Sequence, residues 1–161
     1  MTPDELKTTR EAVGLSVSQL AELAQVQERT VRYWETGHSA VPQDVAKLIT
    51  QIDSDLNAAV QHALSDVQAA IASAGSLPEE IVLLRYREDA DLWHYRADMK
   101  GLPVTTHAAT LHRLRGRLAN LHVASRIVYL NRADYEAWLG KREDGESFRA
   151  AWAALQVPEA S

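Results

Sequence analysis

Residues 14–37 contain two short helical patterns that are separated by only four residues. The first pattern is centred on Leu20 and Ala21, and the second runs from Glu28 to about Thr36. Two short helices that are joined this tightly form a helix-turn-helix pair rather than a long antiparallel hairpin. The spacing therefore predicts a compact α-helical bundle near the N-terminus.

The start of the chain has the pattern of a helix N-terminus, with Thr2 as the cap and Glu5 three residues later. This first helix is predicted to stop at Gly14, because glycine readily adopts the left-handed conformation that ends many helices. Either Ser16 or Ser18 can cap the second helix.

From Pro42 onwards, apolar residues recur every three or four positions as far as Ala74. The seam consists of Val45, Ile49, Ile52, Leu56, Val60, Leu64, Val67 and Ile71. This spacing predicts a helical seam that is either continuous or broken near Asp53. So long a stripe either packs within its own domain or faces a partner chain.

A second segment begins after the turn-forming residues Gly75–Pro78. It contains two short apolar runs that are typical of strands, Ile81–Tyr86 and Arg126–Leu130. Four helices are predicted beside them: Glu88–Met99, Thr106–Leu121, a helix capped by Asn131 that ends at Leu139, and Glu146–Leu155. Because a two-stranded sheet is marginal alone, the strands pair either within the chain or across a dimer.

The composition is that of a folded chain, with 46% apolar and 24% charged residues. There is no cysteine, which excludes disulfides and Cys-containing zinc sites and is typical of a reducing cytosol. The first residues do not have the pattern of a signal peptide, and no stretch approaches 18 uninterrupted apolar residues. These features predict a soluble, cytoplasmic protein without a membrane partner.

The sequence contains no recognisable catalytic or metal-binding pattern. Glycine-rich phosphate loops and the nucleophile elbow are both missing. His107 and His112 are five residues apart, which is not the i, i+4 spacing of two ligands on one helix face. We therefore predict no enzyme activity, no catalytic residues, no metal site and no cofactor.

Residues 112–117 form an arginine-rich run, which is a second candidate for binding nucleic acid. On a helix, Arg113 and Arg117 share one face, and Arg115 lies about 160° away from them. Because the run makes no single basic stripe, the favoured interpretation is a solvated face or ion pairs at a dimer interface.

The third helix presents a polar side whose residues suit a DNA groove. If Val31 and Trp34 are buried against the preceding helix, the outward residues are Gln27, Glu28, Arg29, Arg32 and Tyr33. The major groove of B-DNA admits such a helix, and residues at the helix N-terminus reach the base edges. Arginine donates two bonds to guanine, glutamate accepts from cytosine and glutamine suits adenine. The net charge of −5 nevertheless predicts weak non-specific binding.

The stretch GLSVSQLAELAQVQERTVRYWETG resembles the XRE-type, lambda-repressor-like helix-turn-helix. The matching positions are Gly14, Leu15, Ser16, Leu20, Ala21, Val26, Thr30, Val31, Trp34, Glu35 and Gly37. The resemblance implies an all-α DNA-binding domain over residues 3–50, whose third helix enters the major groove. It also implies that Arg10 pairs with Glu35 inside the domain and does not contact DNA.

Residues 33–45, YWETGHSAVPQDV, resemble the YdiL-like and anti-CRISPR-associated (Aca-type) regulators. This resemblance implies a small homodimer with a C-terminal dimerisation domain, of a kind that often represses its own operon. The predicted fold is mainly α, with a helix-turn-helix bundle, a long helix and a small α+β region of order β-α-α-β-α-α. The predicted domains are residues 1–50 for DNA binding, 51–76 as a connecting helix and 77–161 for dimerisation.

Two positions depart from the pattern of the family. Gln25 stands where the family usually has a turn glycine, and a non-glycine residue in the left-handed region costs on the order of 1 kcal/mol, which favours a reshaped turn. Val17 stands where a glutamine often contacts phosphate. We predict that Ser16 and Ser18, with the amides at the start of the helix, take over that contact.

The sequence therefore predicts a sequence-specific, double-stranded DNA-binding transcriptional regulator. It acts as a homodimeric repressor on a palindromic operator and is associated with the nucleoid. His38 and Ser39, directly after the third helix, are predicted contacts to the DNA backbone. The alternative is an antitoxin or adaptor whose C-terminal half binds a protein partner through Val82–Tyr86, Ile127–Leu130 and Trp138.

Overall fold

A computed structural model describes residues 1–156 as eight α-helices and two strands, with one short 3-10 turn. The first four helices are α1 (Pro3–Ala12), α2 (Val17–Leu23), α3 (Glu28–Glu35) and α4 (Gln43–Ala74). The remaining elements are β1 (Ile81–Arg85), α5 (Asp89–Tyr95), the 3-10 turn Ala97–Met99, α6 (Val104–Asn120), β2 (Ser125–Tyr129), α7 (Arg132–Leu139) and α8 (Glu146–Leu155). The predicted mainly α fold, with its β-α-α-β-α-α second half, is confirmed.

The first two helices begin at side-chain caps. Thr2 Oγ1 accepts a hydrogen bond from the amide of Glu5 at 3.2 Å, and the Glu5 carboxylate accepts one from the amide of Thr2 at 2.7 Å. Ser16, rather than Ser18, caps α2, because its Oγ accepts from the amide of Gln19 at 3.1 Å. These caps satisfy amides that have no partner within the helix.

The helices α1, α2 and α3 all end in the same backbone arrangement, in which one residue takes a positive φ. That residue is Gly14 after α1, Gln25 after α2 and Gly37 after α3, with φ values of 75°, 55° and 75°. In each case the next amide donates back to the carbonyl five residues earlier, as in Leu15 to Arg10. Gln25 takes the left-handed conformation despite its side chain, so the reshaped turn suggested by the sequence does not occur and the usual geometry is kept without glycine.

Contacts divide the described residues into two compact units. The first unit comprises residues 1–66 and 105–114, so that it contains α1, α2, α3, the first three-quarters of α4 and a stretch of α6. Its core is formed by side chains from each of these helices: Leu6, Val13, Leu20, Val31, Trp34, Val45, Ile49, Ile52, Leu56 and Leu111. The helix α4 is continuous, and the break considered near Asp53 does not occur.

The second unit comprises residues 67–104 and, within the described chain, 115–156. Its two strands pair in parallel within the chain, with Ile81 opposite Ser125 and Arg85 opposite Tyr129. The pairing left open by the sequence is therefore intrachain, and the crossover through α5 and α6 supplies the long connection that parallel strands need.

Aromatic side chains form the centre of the second unit. Tyr135 is fully buried, and its ring lies against Tyr95, Trp138 and Trp152 at centroid distances of 5.7, 6.2 and 5.9 Å. Burial, together with the neighbouring Glu136, raises the pKa of Tyr95 to about 12. The Tyr95 hydroxyl therefore stays protonated and donates to Glu136 at 3.4 Å.

Two predicted helices differ from those observed. The helix predicted over Glu88–Met99 ends at Tyr95, because Arg96 leaves the helical region with φ −131° and ψ 74°. The helix predicted from Thr106 begins earlier, at Val104, whose amide finds an acceptor in the carboxylate of Asp89 at 2.7 Å. The predicted domain limits of 1–50, 51–76 and 77–161 stay a prediction. Between Met1 and Gln156, no helix is long and apolar enough to cross a membrane.

Candidate nucleic-acid interface

The helix α3 is anchored by one apolar side. Val31 is fully buried and Trp34 is 5% exposed, and both belong to the core that α3 shares with α1 and α2. Ala21 of α2 is also buried, and its small side chain allows two helices to approach closely. This anchoring leaves the opposite side of an eight-residue helix, about 12 Å long, facing solvent.

An internal ion pair fixes the C-terminal end of α3 to α1. Arg10 Nε donates to Glu35 Oε1 at 2.6 Å, and Arg10 Nη2 donates to Glu35 Oε2 at 3.2 Å. Both side chains are only 8% exposed, and Arg10 also donates to the carbonyl of Leu15 at 2.8 Å. The implied pairing is confirmed, and its two residues are occupied within the bundle.

The outward side of α3 carries the residues predicted to read DNA. Gln27, Glu28, Arg29, Arg32 and Tyr33 are all exposed. Gln27 is the N-cap residue, and its side chain makes no capping hydrogen bond. The five predicted residues therefore lie together on the exposed side of one short helix, from its N-cap to its sixth residue.

Two i, i+4 pairs organise this surface. Arg29 Nε donates to the Tyr33 hydroxyl at 2.6 Å, and the Arg29 guanidinium carbon lies 4.9 Å from the centroid of the Tyr33 ring. Arg32 Nη2 donates to Glu28 Oε2 at 2.7 Å. The spacing of these pairs is visible in the sequence, since residues four apart are neighbours on a helix.

The residues after α3 fold back onto it. The amides of His38 and Ser39 donate to the carbonyl of Tyr33 at 2.9 and 3.3 Å. The His38 imidazole stacks on the Tyr33 ring at 5.4 Å, with an interplanar angle of 20°. Thr36 Oγ1 lies 3.1 Å from His38 Nδ1. Sequence reasoning missed Thr36 and the stacking, because both depend on the path of the chain after Gly37.

The two serines predicted to contact phosphate lie at the start of α2. The Ser16 hydroxyl already accepts the Gln19 amide as a helix cap. Ser18 is exposed in the first turn, and Val17 beside it is half-buried. The first amides of α2 and the Ser18 hydroxyl are the groups at this end that suit an anionic oxygen.

The two other candidate sites considered from the sequence are a metal site and the arginine-rich run. Within residues 1–156, no group of three His, Asp or Glu side chains has the arrangement of a metal site. Arg113, from the arginine-rich run, donates to Asp53 Oδ1 at 2.8 Å and to Asn57 Oδ1 at 2.9 Å. Its charge is thus partly balanced inside the first unit, while Arg115 and Arg117 are exposed.

This region is similar in sequence to known proteins. Residues 6–52 match the helix-turn-helix family model, which covers α1 to the first third of α4. The chain is also similar to the Aca2 repressor of Pectobacterium phage ZF40, with 37% identity over 70 residues. That alignment covers 41% of this chain and 60% of the relative. The resemblance to XRE-type, Aca-type regulators is confirmed, and the N-terminal region is a helix-turn-helix domain.

Proposed function

We propose that this protein is a sequence-specific repressor, which binds a palindromic operator as a homodimer through the major groove of double-stranded DNA. The observation that carries the proposal is the exposed side of α3, on which Gln27, Glu28, Arg29 and Arg32 lie together. Such a helix fits the major groove, and these side-chain types match the donors and acceptors of the base edges. The similarity to a phage repressor supports the same function.

A homodimer follows from the small size of α3. A single eight-residue helix covers only a few base pairs, and one such module buries a modest surface. Two copies related by a twofold axis place two helices about 34 Å apart, which is one turn of DNA. A palindrome is the DNA sequence that matches this symmetry, and an operator next to the protein's own gene would make it an autorepressor.

The phosphate contacts in this proposal come from residues that flank α3. Ser18 and the amides of α2 approach one strand, and His38 and Ser39 follow the other end of α3. These groups position α3 without reading bases. Because the net charge is −5, we expect most of the affinity to depend on the sequence of the duplex.

Replacing the exposed arginines of α3 tests this function. We expect Arg29→Ala or Arg32→Ala to weaken specific binding by about 1–3 kcal/mol, since each loses a pair of bonds to a guanine. The measurement is fluorescence anisotropy at fixed salt, on the duplex that the wild-type chain selects from a random pool. Arg117→Ala is the matched control, because it removes an exposed arginine from α6. Unchanged affinity in both α3 variants, or a selected duplex without a palindrome, would contradict the proposal.

A further inference from the structure

We infer that Tyr33 is a positioning residue, which holds Arg29 ready to read a guanine and does not itself specify a base. This inference rests on the proposed function and deepens it. Its basis is the hydrogen bond of 2.6 Å from Arg29 Nε to the Tyr33 hydroxyl, together with the guanidinium 4.9 Å from the ring centroid. Two contacts of different kinds, one polar and one cation–π, thus hold the same guanidinium.

The contact with Tyr33 leaves the reading end of Arg29 free. A guanidinium has five N–H donors, and the hydrogen bond to tyrosine uses the one on Nε. The four donors on the two terminal nitrogens remain, and such a pair can meet O6 and N7 of guanine together. Because Nε is occupied, we infer that Arg29 approaches the base end-on, through Nη1 and Nη2.

Tyr33 is itself held from the other side. The left-handed conformation of Gly37 directs the chain back, so that the His38 amide donates to the Tyr33 carbonyl at 2.9 Å. The His38 imidazole then stacks on the Tyr33 ring at 5.4 Å. Gly37, which ends α3, therefore also places His38 where its imidazole restricts the Tyr33 ring, and this ring in turn holds Arg29.

The second arginine of α3, Arg32, is held by a carboxylate and not by a hydroxyl. Arg32 donates to the carboxylate of Glu28 at 2.7 Å, and both side chains are about half exposed. A DNA group that binds Arg32 must compete with this carboxylate, whereas the partner of Arg29 is a neutral hydroxyl. Among the described residues, no carboxylate forms an ion pair with Arg29. No carboxylate therefore offsets the positive charge of Arg29 before DNA binds. We expect Arg29 to discriminate between bases more strongly than Arg32 does.

The test is the base preference of Tyr33→Phe, which removes the hydroxyl and keeps the ring. Affinities are measured on the selected duplex and on each of its single-base substitutions, for the wild type, Tyr33→Phe, Arg29→Ala and the double variant. At the position that Arg29→Ala identifies, we expect the wild-type preference for guanine to be about 5- to 150-fold. Tyr33→Phe should reduce this ratio at least about threefold there and leave the ratios at other positions unchanged.

Two further variants separate positioning from a contact to DNA. In the double variant, Tyr33→Phe should add no loss to that of Arg29→Ala, because its effect passes through Arg29. His38→Phe, which keeps a ring over Tyr33, should retain the preference, and His38→Ala should lower it. Arg117→Ala again serves as the control, since it removes an exposed side chain from α6 and leaves α3 unchanged.

Each outcome decides between the alternatives. If Tyr33→Phe keeps the wild-type ratio at every position, or weakens all duplexes equally, or adds its loss to that of Arg29→Ala, the positioning role is wrong. These results leave the proposed function intact as long as Arg29→Ala loses its base preference. A wild-type chain without any base preference would overturn the proposed function and the positioning role together.

Discussion

Gly14 ends α1 at a point where the backbone of Thr105 passes directly beside it. A Cβ atom added to Gly14 would lie 2.4 Å from the Thr105 carbonyl oxygen and 2.7 Å from the carbonyl carbon. Gly37 has the same φ of 75°, but its nearest neighbour would be a side-chain carbon of Pro3 at 3.7 Å. The two glycines thus share a backbone conformation and differ in the space around them.

This difference predicts unequal effects of alanine at the two glycines. We expect Gly37→Ala to lower the free energy of unfolding by about 1 kcal/mol, which is the cost of a left-handed side chain. Gly14→Ala should lower it by about 2–4 kcal/mol, because the clash with a backbone carbonyl adds an overpacking cost. Urea denaturation followed by circular dichroism measures both values. Equal losses would mean that the Thr105 backbone moves away easily.

Residue roles were predictable from the sequence where the determinants are local. The caps at Thr2 and Ser16 follow from side chains three residues away. At Gln25 the missing glycine suggested a reshaped turn, whereas the residue keeps the left-handed conformation. The ion pair between Arg10 and Glu35 came only from the family resemblance, because 25 residues separate its partners. The stacking of His38 on Tyr33 needed the three-dimensional path of the chain and was not predicted.

At the scale of elements, a single arginine joins three helices of the first unit. Arg113 of α6 donates to the carbonyl of Ala12, the last residue of α1, at 3.0 Å, and to Asp53 and Asn57 of α4 at 2.8 and 2.9 Å. The sequence marks Arg113 only as part of a basic run, since its partners are 56 to 101 residues away. The sequence pattern indicates that Arg113 lies on the surface, whereas its contacts give it a structural role in the first unit.

We expect Arg113→Ala to destabilise the first unit by about 1–2 kcal/mol. This value lies in the lower part of the range for hydrogen bonds to charged groups, because Arg113 is 21% and Asp53 35% exposed. Hydrogen exchange of the amides in α1 and α2 would report the loss for this unit alone. Arg115→Ala on the same helix is the control and should change protection by less than about 0.5 kcal/mol. Equal protection in both variants would show that Arg113 adds nothing.

The two strands show the limit of sequence patterns at this scale. Their positions were predicted to within one residue, because short apolar runs with β-branched residues are a local signal. Whether they paired within the chain was open, since pairing joins residues 44 positions apart, such as Ile81 and Ser125. The crossover through α5 and α6 brings the two strands together within the chain, and no local feature of either strand predicts that path.

For the whole molecule, the small sheet supports the proposed dimer. Parallel strands usually occur in sheets that are covered on both faces. Here Val82, Leu84, Ile127 and Val128 are only half-buried, and Tyr129 is 37% exposed. In the described chain the sheet has two strands, so each strand also has an outer edge. A second copy that covers this surface would both complete the sheet and supply the second recognition helix.

Sedimentation equilibrium tests this arrangement. We expect a mass of twice 17.9 kDa at micromolar concentration, and a shift towards the monomer in Ile127→Lys. The same variant should bind the operator more weakly, because each monomer then binds alone. Leu155→Lys, at a residue that is 64% exposed, is the control for adding a lysine. A wild-type monomer would contradict the dimer, and co-purification of another protein would then favour the adaptor.

The packing of Gly14 and Arg113 also sets the order in which the chain can fold during synthesis. The three helix-turn-helix helices leave the ribosome before the stretch of α6 that completes their unit, which ends at residue 114. Ribosomes add about 5–20 residues per second, so the 48 residues after Asp66 take roughly 2 to 10 s. During that interval the nascent bundle lacks the backbone against which Gly14 packs. A DNA-binding domain built this way would gain its full stability only after this stretch of α6 has been synthesised.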